Sequence, residues 1–288
     1  MATASSSSWS SETHRRRRRL RIPIAASHHV TRWLAVRFPG TFPLLFVYGY
    51  PKSGTSWASQ LIADALRLPY PQHSVLPIGF EAVQQTHASY SPANQRAAYV
   101  MRDGRDVMVS LYFHLIANRE RSGNAARYRS IAGLGSPDQI HELMPEFIQG
   151  QASKPFSSSV NWAEHVSSRL DANANCPVLR YEDLLSDGVR ALQLTLEAFS
   201  SREALGGAAA AAINRFDFGK TTGRERGQSD PSSFLRSGRQ GEWIKYFSRE
   251  AAEVFDRHFG EVLVESGYAA GRDWVSEHSE SIVNTRSA

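Results

Sequence analysis

Residues 42–57 read FPLLFVYGYPKSGTSW. The first half is an almost continuous apolar run, as expected of a strand buried on both faces of a parallel sheet. The run closes at Gly49 and Pro51. Trp57, Ala58, Leu61, Ile62, Ala65 and Leu66 then recur at helical spacing until Pro69 stops the pattern. A glycine-bearing turn between a buried strand and a helix is the setting of a phosphate-binding loop. Gly49 and Gly54 keep the four-residue gap of G-x-x-x-x-G-K-[ST], but Thr55 follows the second glycine and the lysine comes early, at Lys52. In nucleoside triphosphatases the Ser/Thr directly after the lysine ligates magnesium. Here that Lys-Ser/Thr pair at the helix start is lost. The loop therefore reads as an anion site with no required metal. Backbone amides at the helix start, the hydroxyls of Ser53, Thr55 and Ser56, and the charge of Lys52 would form it.

The strand-then-helix unit recurs. AAYVM (97–101) reads as a strand, RDGRD as a turn and VMVSLYFHLI as a helix. CPVLRYEDLL gives a short strand followed by acids, and VRALQLTLEAF a helix. The alternation predicts an α/β, P-loop-like three-layer fold with a central parallel sheet flanked by helices. Residues 248–266 form an amphipathic helix with Val254, Phe255, His258, Phe259, Val262 and Leu263 inward, ended by Gly267. Stretches 118–139 and 219–241, rich in Gly, Ser, Arg and Asn, read as long loops. The expected organisation is a disordered Ser/Arg-rich tail over 1–30, a single domain over 38–270 and a C-terminal tail over 271–288.

A net charge of +5 invites a nucleic-acid reading, but residues 1–22 hold six arginines, Arg15 to Arg19 and Arg21, against Glu12 alone. The remainder is neutral, so the basicity belongs to the tail. A block of like charge is a solvated segment or an RNA, membrane or targeting element. The Ser- and Arg-rich, acid-poor start shares its bias with organellar transit peptides. The longest apolar runs fall short of the about 18 residues of a membrane span. The single cysteine, Cys176, excludes an intrachain disulfide and fits a reducing compartment.

Two further constellations carry positive charge. In YVMRDGRDVMVSLYFH, Arg102 ends a strand and Ser110 lies eight residues on. Parallel strands bring their C-terminal ends to one sheet edge, so Arg102 can reach the crevice of Lys52. Alternatively Arg102 pairs with Asp103 or Asp106 across the turn. In SSFLRSGRQGEW (232–243), arginines and glycines make a flexible basic clamp or a solvated loop.

Together these stretches resemble the cytosolic-type sulfotransferases, which use 3′-phosphoadenosine 5′-phosphosulfate (PAPS). The P-K-S-G-T-[ST]-W loop corresponds to Pro51–Trp57, and the Arg with a Ser eight residues later to Arg102 and Ser110. The [FL]-x-R-K-G-x-x-G-D-W segment corresponds to Phe234–Trp243, and the Y-E-D after a strand to Tyr181, Glu182 and Asp183. The order agrees from about residue 43 to 268. The resemblance implies that Lys52 and the loop amides of Ser53, Gly54, Thr55 and Ser56 hold the 5′-phosphosulfate. It implies that Arg102, Ser110 and Arg236 bind the 3′-phosphate, with Gly238 allowing close approach. Trp57 and Phe216 would sandwich adenine and Tyr181 would meet its edge. Ser237 stands where the family usually has Lys, which weakens the clamp; Arg239 is the candidate to compensate.

The resemblance also implies a histidine base in a K-T-H-like turn. QQTHASYSP places His87 there, with Gln85 in the lysine's position and His73 and His114 as rivals. The implied reaction moves the sulfuryl group in line from PAPS to a small-molecule hydroxyl acceptor and releases adenosine 3′,5′-bisphosphate. Stretches 70–92 and 113–165 would wall the acceptor pocket. The aromatics Tyr112, Phe113, Phe147, Phe156, Trp162 and His165 point to an apolar or aromatic alcohol or phenol, or else form core. A P-loop small-molecule kinase and a non-catalytic nucleotide- or RNA-binding protein are the alternatives. The expected location is cytoplasmic, or organellar through the N-terminal segment.

Overall fold

The computed structural model describes residues 26–38, 41–72, 74–94, 96–122, 125–172, 175–201, 205–225, 227–230 and 237–279. Its centre is a four-stranded, all-parallel sheet in the order β2-β1-β3-β4. The strands are β1 (Leu45–Gly49), β2 (Val83–Thr86), β3 (Ala97–Met101) and β4 (Val178–Arg180). Every residue of β1 and β3 is buried, as the continuous apolar runs required. Side-chain alternation splits the core in two. Leu45, Val47, Ala98 and Val100 face one cluster with the helix Thr55–Leu66, whereas Phe46, Tyr48, Tyr99 and Met101 face the other with the helices Gly104–Ser122 and Arg249–Glu265. One helical layer on each face gives the three-layer α/β architecture.

Parallel pairing aligns the strand ends. Tyr48 lies opposite Thr86 and Tyr99, and Met101 opposite Arg180. The chain leaves β1 toward β2 on one side and returns through β3 on the other, so a topological switch point flanks β1 at the C-terminal edge, where ligands bind in such sheets.

Several local readings needed revision. Strand β2 was not foreseen; it is four residues long, with Gln84 buried and Gln85 half-buried, so it lacks the apolar signature of β1. The stretch 118–139 is not one long loop. The helix that follows β3 begins at Gly104 and runs to Ser122, another covers Ala125–Tyr128, and a 3-10 turn covers Pro137–Gln139. Within 219–241, Gly219–Thr222 belong to the short helix Phe218–Thr222, while the other described residues form turns and irregular backbone. In the helix Arg249–Glu265, Phe255, Phe259 and Leu263 point inward, but His258 turns outward to Gln149.

Candidate active site

Each strand end delivers a site residue. The loop 50–54 follows Gly49, His87 follows Thr86, Arg102 follows Met101 and Tyr181 follows Arg180. They meet in a cavity of about 630 Å³. Its wall includes Lys52, Gly54, Thr55, Ser56, Trp57, His87, Arg102, Ser110, Tyr181, Phe216, Ser237 and Gly238. Of the residues expected at the site, Ser53 is buried within the loop and does not line the cavity, and Arg236 lies outside the described residues, as does the rival base His73.

The loop is shaped by close packing. A Cβ on Gly49 would stand 2.9 Å from the Val100 carbonyl and against the Thr55 hydroxyl, and one on Gly54 would stand 2.6 Å from the Tyr181 ring. Lys52 and Gly54 both have positive φ, 73° and 87°. Gly54 caps the helix Thr55–Leu66 without a side-chain bond, so no cap side chain occupies its first amides. Two buried polar atoms on the wall lack hydrogen-bond partners: Thr55 Oγ1 and Arg102 Nε. Such orphans are rare unless a ligand or water completes them. Both atoms are themselves closed to the cavity; the uncapped amides of the helix start, Lys52 and the guanidinium of Arg102 are the groups that fit an anionic ligand.

Arg102 is a positioned cation. Its guanidinium lies 4.2 Å from the centre of the Tyr181 ring. It donates to the Lys52 carbonyl at 3.1 Å and to the Arg239 carbonyl at 3.3 Å. Its approach to Asp106 is loose, 3.9 Å. Asp103 instead pairs with Arg105 at 2.7 Å. The Asp106 carboxylate accepts from the amides of Gly241 and Trp243 at 2.7 and 2.9 Å, which pins the clamp segment to the start of the helix after β3. Glu182 accepts from the Asp103 amide and from Tyr268, tying the Y-E-D stretch to β3. The Ser237 hydroxyl is spent on Glu242.

His87 lines the same cavity, beside the loop. Its Nδ1 is 2.6 Å from the Gly49 carbonyl, which only accepts, so Nδ1 carries the proton and Nε2 the lone pair. Gln85 reaches Nε2 at 3.0 Å with its amide nitrogen, while its carbonyl oxygen accepts from Ser56 and Tyr70. Two hydroxyl donors on the oxygen and one lone pair on the imidazole agree on the same amide orientation. Burial holds the His87 pKa below its usual value, the Gly49 bond opposes this, and the charge of Lys52 adds to the lowering. His114 also lines the cavity, and burial, with Lys52 and Arg121, depresses it to about 3.

The expected aromatic wall is not part of the cavity. Tyr112, Phe113, Phe147, Trp162 and His165 are buried core residues, and Phe156 packs on Tyr128. His165 bonds the Tyr99 hydroxyl at 2.6 Å. Gln72, His114 and Ser157 line the cavity instead. Sequence reading also passed over Phe218, which lines the cavity beneath Gly238. Its signal was present in FDF, where Asp217 caps the helix Phe218–Thr222 by accepting from the Gly219 and Lys220 amides.

Residues 82–267 match the family profile described as Sulfotransferase domain. Sulfotransferase 1E1 of Bos taurus is 25% identical over 260 residues, covering 75% of this chain and 81% of that protein. Amine sulfotransferase of Oryctolagus cuniculus is 24% identical, covering 76% and 80%. Flavonol 3-sulfotransferase of Flaveria bidentis is 24% identical, covering 77% and 82%. Among solved structures, a retinol dehydratase in complex with androsterone and the inactive cofactor PAP superposes with a TM-score of 0.53 at 17% identity, over 76% of this chain and 80% of that one; it supports the fold.

Proposed function

Because the chain belongs to the sulfotransferase family, we propose that it moves the sulfuryl group of PAPS onto the hydroxyl of a small molecule lodged between His87, Gln72, His114 and Ser157. The observation that carries this reading is the uncapped start of the helix Thr55–Leu66, with Lys52 and Arg102, in the same cavity as His87, whose Nε2 lone pair meets the Gln85 amide.

PAPS supplies an activated sulfuryl group on a bisphosphate leaving group. Lys52, Thr55 and the amides at the start of the helix hold the 5′ anion, and Lys52 neutralises charge on the bridging oxygen as the S–O bond breaks. Arg102 and Ser110 hold the 3′-phosphate, with Arg236 from the clamp segment. Trp57 and Phe216 offer ring faces to the adenine, Phe218 offers a third, and Tyr181 supports the base edge. The acceptor oxygen attacks sulfur while His87 Nε2 takes its proton, and Nδ1–H···O=C at Gly49 steadies the imidazolium that forms. For Nε2 to do so, the Gln85 amide must shift aside or turn to the incoming oxygen.

Gln72, His114 and Ser157 offer hydrogen-bonding groups within a largely apolar cavity, which suits an alcohol or phenol bearing a second hydrogen-bonding group. The displaced lysine and the family assignment displace the kinase alternative. The test is transfer of labelled sulfate from PAPS to a panel of hydroxylated acceptors. Turnover lost in His87→Ala, with donor binding intact, supports the reading. Tight bisphosphate binding without turnover on any acceptor would leave a binding protein instead.

A further inference from the structure

The helix over 26–37, ASHHVTRWLAVR, is built inside out. Its buried positions are Ser27, Thr31 and Ala35, one turn apart, whereas Val30, Trp33 and Val36 face outward at 43%, 61% and 39% exposure. A helix packing for stability alone would reverse these faces. The inward hydroxyls have a purpose. Ser27 donates to the Leu76 carbonyl at 2.6 Å, and Thr31 accepts from the Ile78 amide at 3.0 Å. They clasp the segment 75–80, which itself exposes Val75, Leu76 and Phe80 at 46%, 71% and 54%. Phe38, also exposed, meets Trp33 edge-on at 6.4 Å. Seven of the eleven exposed large apolar side chains among the described residues thus belong to these two joined stretches. Isolated surface apolar residues need no explanation, but a gathered set marks an interaction surface.

Charge identifies the partner. Between Glu12 and Asp64 the sequence holds no acid, but it holds Arg15 to Arg19, Arg21, Arg32 and Arg37; the acid that adjoins the face, Glu81 beside Phe80, is paired with Arg96 at 2.7 Å. The Arg37 guanidinium sits 5.1 Å from the Phe38 ring centre, so cation and apolar surface are interleaved. A second copy of the chain seated on this face would set Arg32 and Arg37 against their own counterparts and be repelled. A surface of anionic lipid would neutralise the arginines and take up Trp33, Leu76 and Phe80 at the headgroup boundary, where aromatic rings are favoured. No described helix is long and apolar enough to cross a membrane, so the contact lies along the surface. We infer that helix 26–37 and segment 75–80 form a docking face for anionic membranes.

The test is flotation of the full chain with vesicles of phosphatidylcholine alone and with about 30% phosphatidylserine added. Binding to the anionic vesicles only, weakened roughly tenfold in a Trp33→Ser/Leu76→Ser variant and reduced by raised salt, is the expected result. Both side chains are exposed, and an unchanged melting temperature verifies that the variant is folded. Quenching of tryptophan fluorescence by brominated lipid, lost in Trp33→Ser, places the helix at the bilayer. Three outcomes overturn the inference. One is no binding to either vesicle, with or without capture of RNA. A second is anionic binding unchanged in the double variant and lost only when Arg15 to Arg19 are replaced by serine, which would make the tail sufficient. The third is a concentration-dependent dimer in sedimentation that the double variant abolishes.

Discussion

The two ends of the cavity are built by different means. The anion end is local: the loop between β1 and its helix, the residue after β3, and glycines with no room for a side chain. Its chemistry comes largely from backbone and from one tightly seated guanidinium. The proposed acceptor side draws instead on side chains, Gln72, His87, His114 and Ser157, with Gln85 bonded to His87. A backbone-built site tolerates little variation, whereas a side-chain-built one changes with each substitution. On the proposed reading, the backbone-built part fixes the donor and the side-chain-built part sets the acceptor.

The largest expected contrast is between His87 and Arg102. His87→Ala removes the proposed proton acceptor and is expected to lower kcat by roughly 10²–10⁴ with donor affinity near wild type. Arg102→Ala is expected to weaken bisphosphate binding by about 1.5–3 kcal/mol, roughly 10- to 150-fold. Steady-state kinetics and titration calorimetry on both variants separate the two ends. If Arg102→Ala lowered only the melting temperature, the guanidinium would be a structural group, and the contrast would fail.

Gln85 sharpens the acceptor end. Its amide meets the imidazole at 3.0 Å, so Gln85→Glu puts a carboxylate there and raises the His87 pKa. The base works as the neutral imidazole, so the acid limb of the kcat profile moves to higher pH. In the wild type, burial places that limb below the ordinary histidine value. A Gln85→Glu profile that overlays the wild type would remove Gln85 from contact with the base.

Stability carries a related signature. His165 and His114 are held to about 4 and 3, burial being the main cause in each. Folded pKa values below the unfolded value mean that the unfolded chain binds more protons in acid. Stability from these groups is therefore complete above about pH 6.5 and declines below it, by up to about 1.4 kcal/mol per pH unit for each imidazole. Urea melts between pH 7 and 5 measure this. His165→Asn should flatten the slope if the buried imidazole is its source. The smallest effect belongs to Ser237→Ala. Its hydroxyl is engaged with Glu242, so bisphosphate affinity should change by less than about 1 kcal/mol.

Legibility in the sequence follows the same division. β1 and its loop were readable because a continuous apolar run, two glycines and a helical repeat lie side by side. Arg102 and Ser110 line the cavity as the strand-end position and the family resemblance led one to expect. β2 was not, because VQQT carries two glutamines and gains its strand character only by pairing along β1. Gln85 stood out as a departure from the family pattern, but its bridge from Tyr70 and Ser56 to His87 exists only in three dimensions. The aromatics of 112–165 misled for the opposite reason: a large ring in a core and a large ring in a pocket look alike in one dimension. Phe218 was overshadowed by Phe216, two positions away, since nothing in the sequence says which ring the turn presents.

Binding of adenosine 3′,5′-bisphosphate in the presence of a chelator tests the donor end most directly. At a hundred times the dissociation constant it should stabilise the fold by about 2.7 kcal/mol, seen as an upward shift in melting temperature that Arg102→Ala cuts to about half or less at the same bisphosphate concentration. No shift with the bisphosphate, together with a shift from ATP and magnesium, would contradict the assignment of the loop and of Arg102.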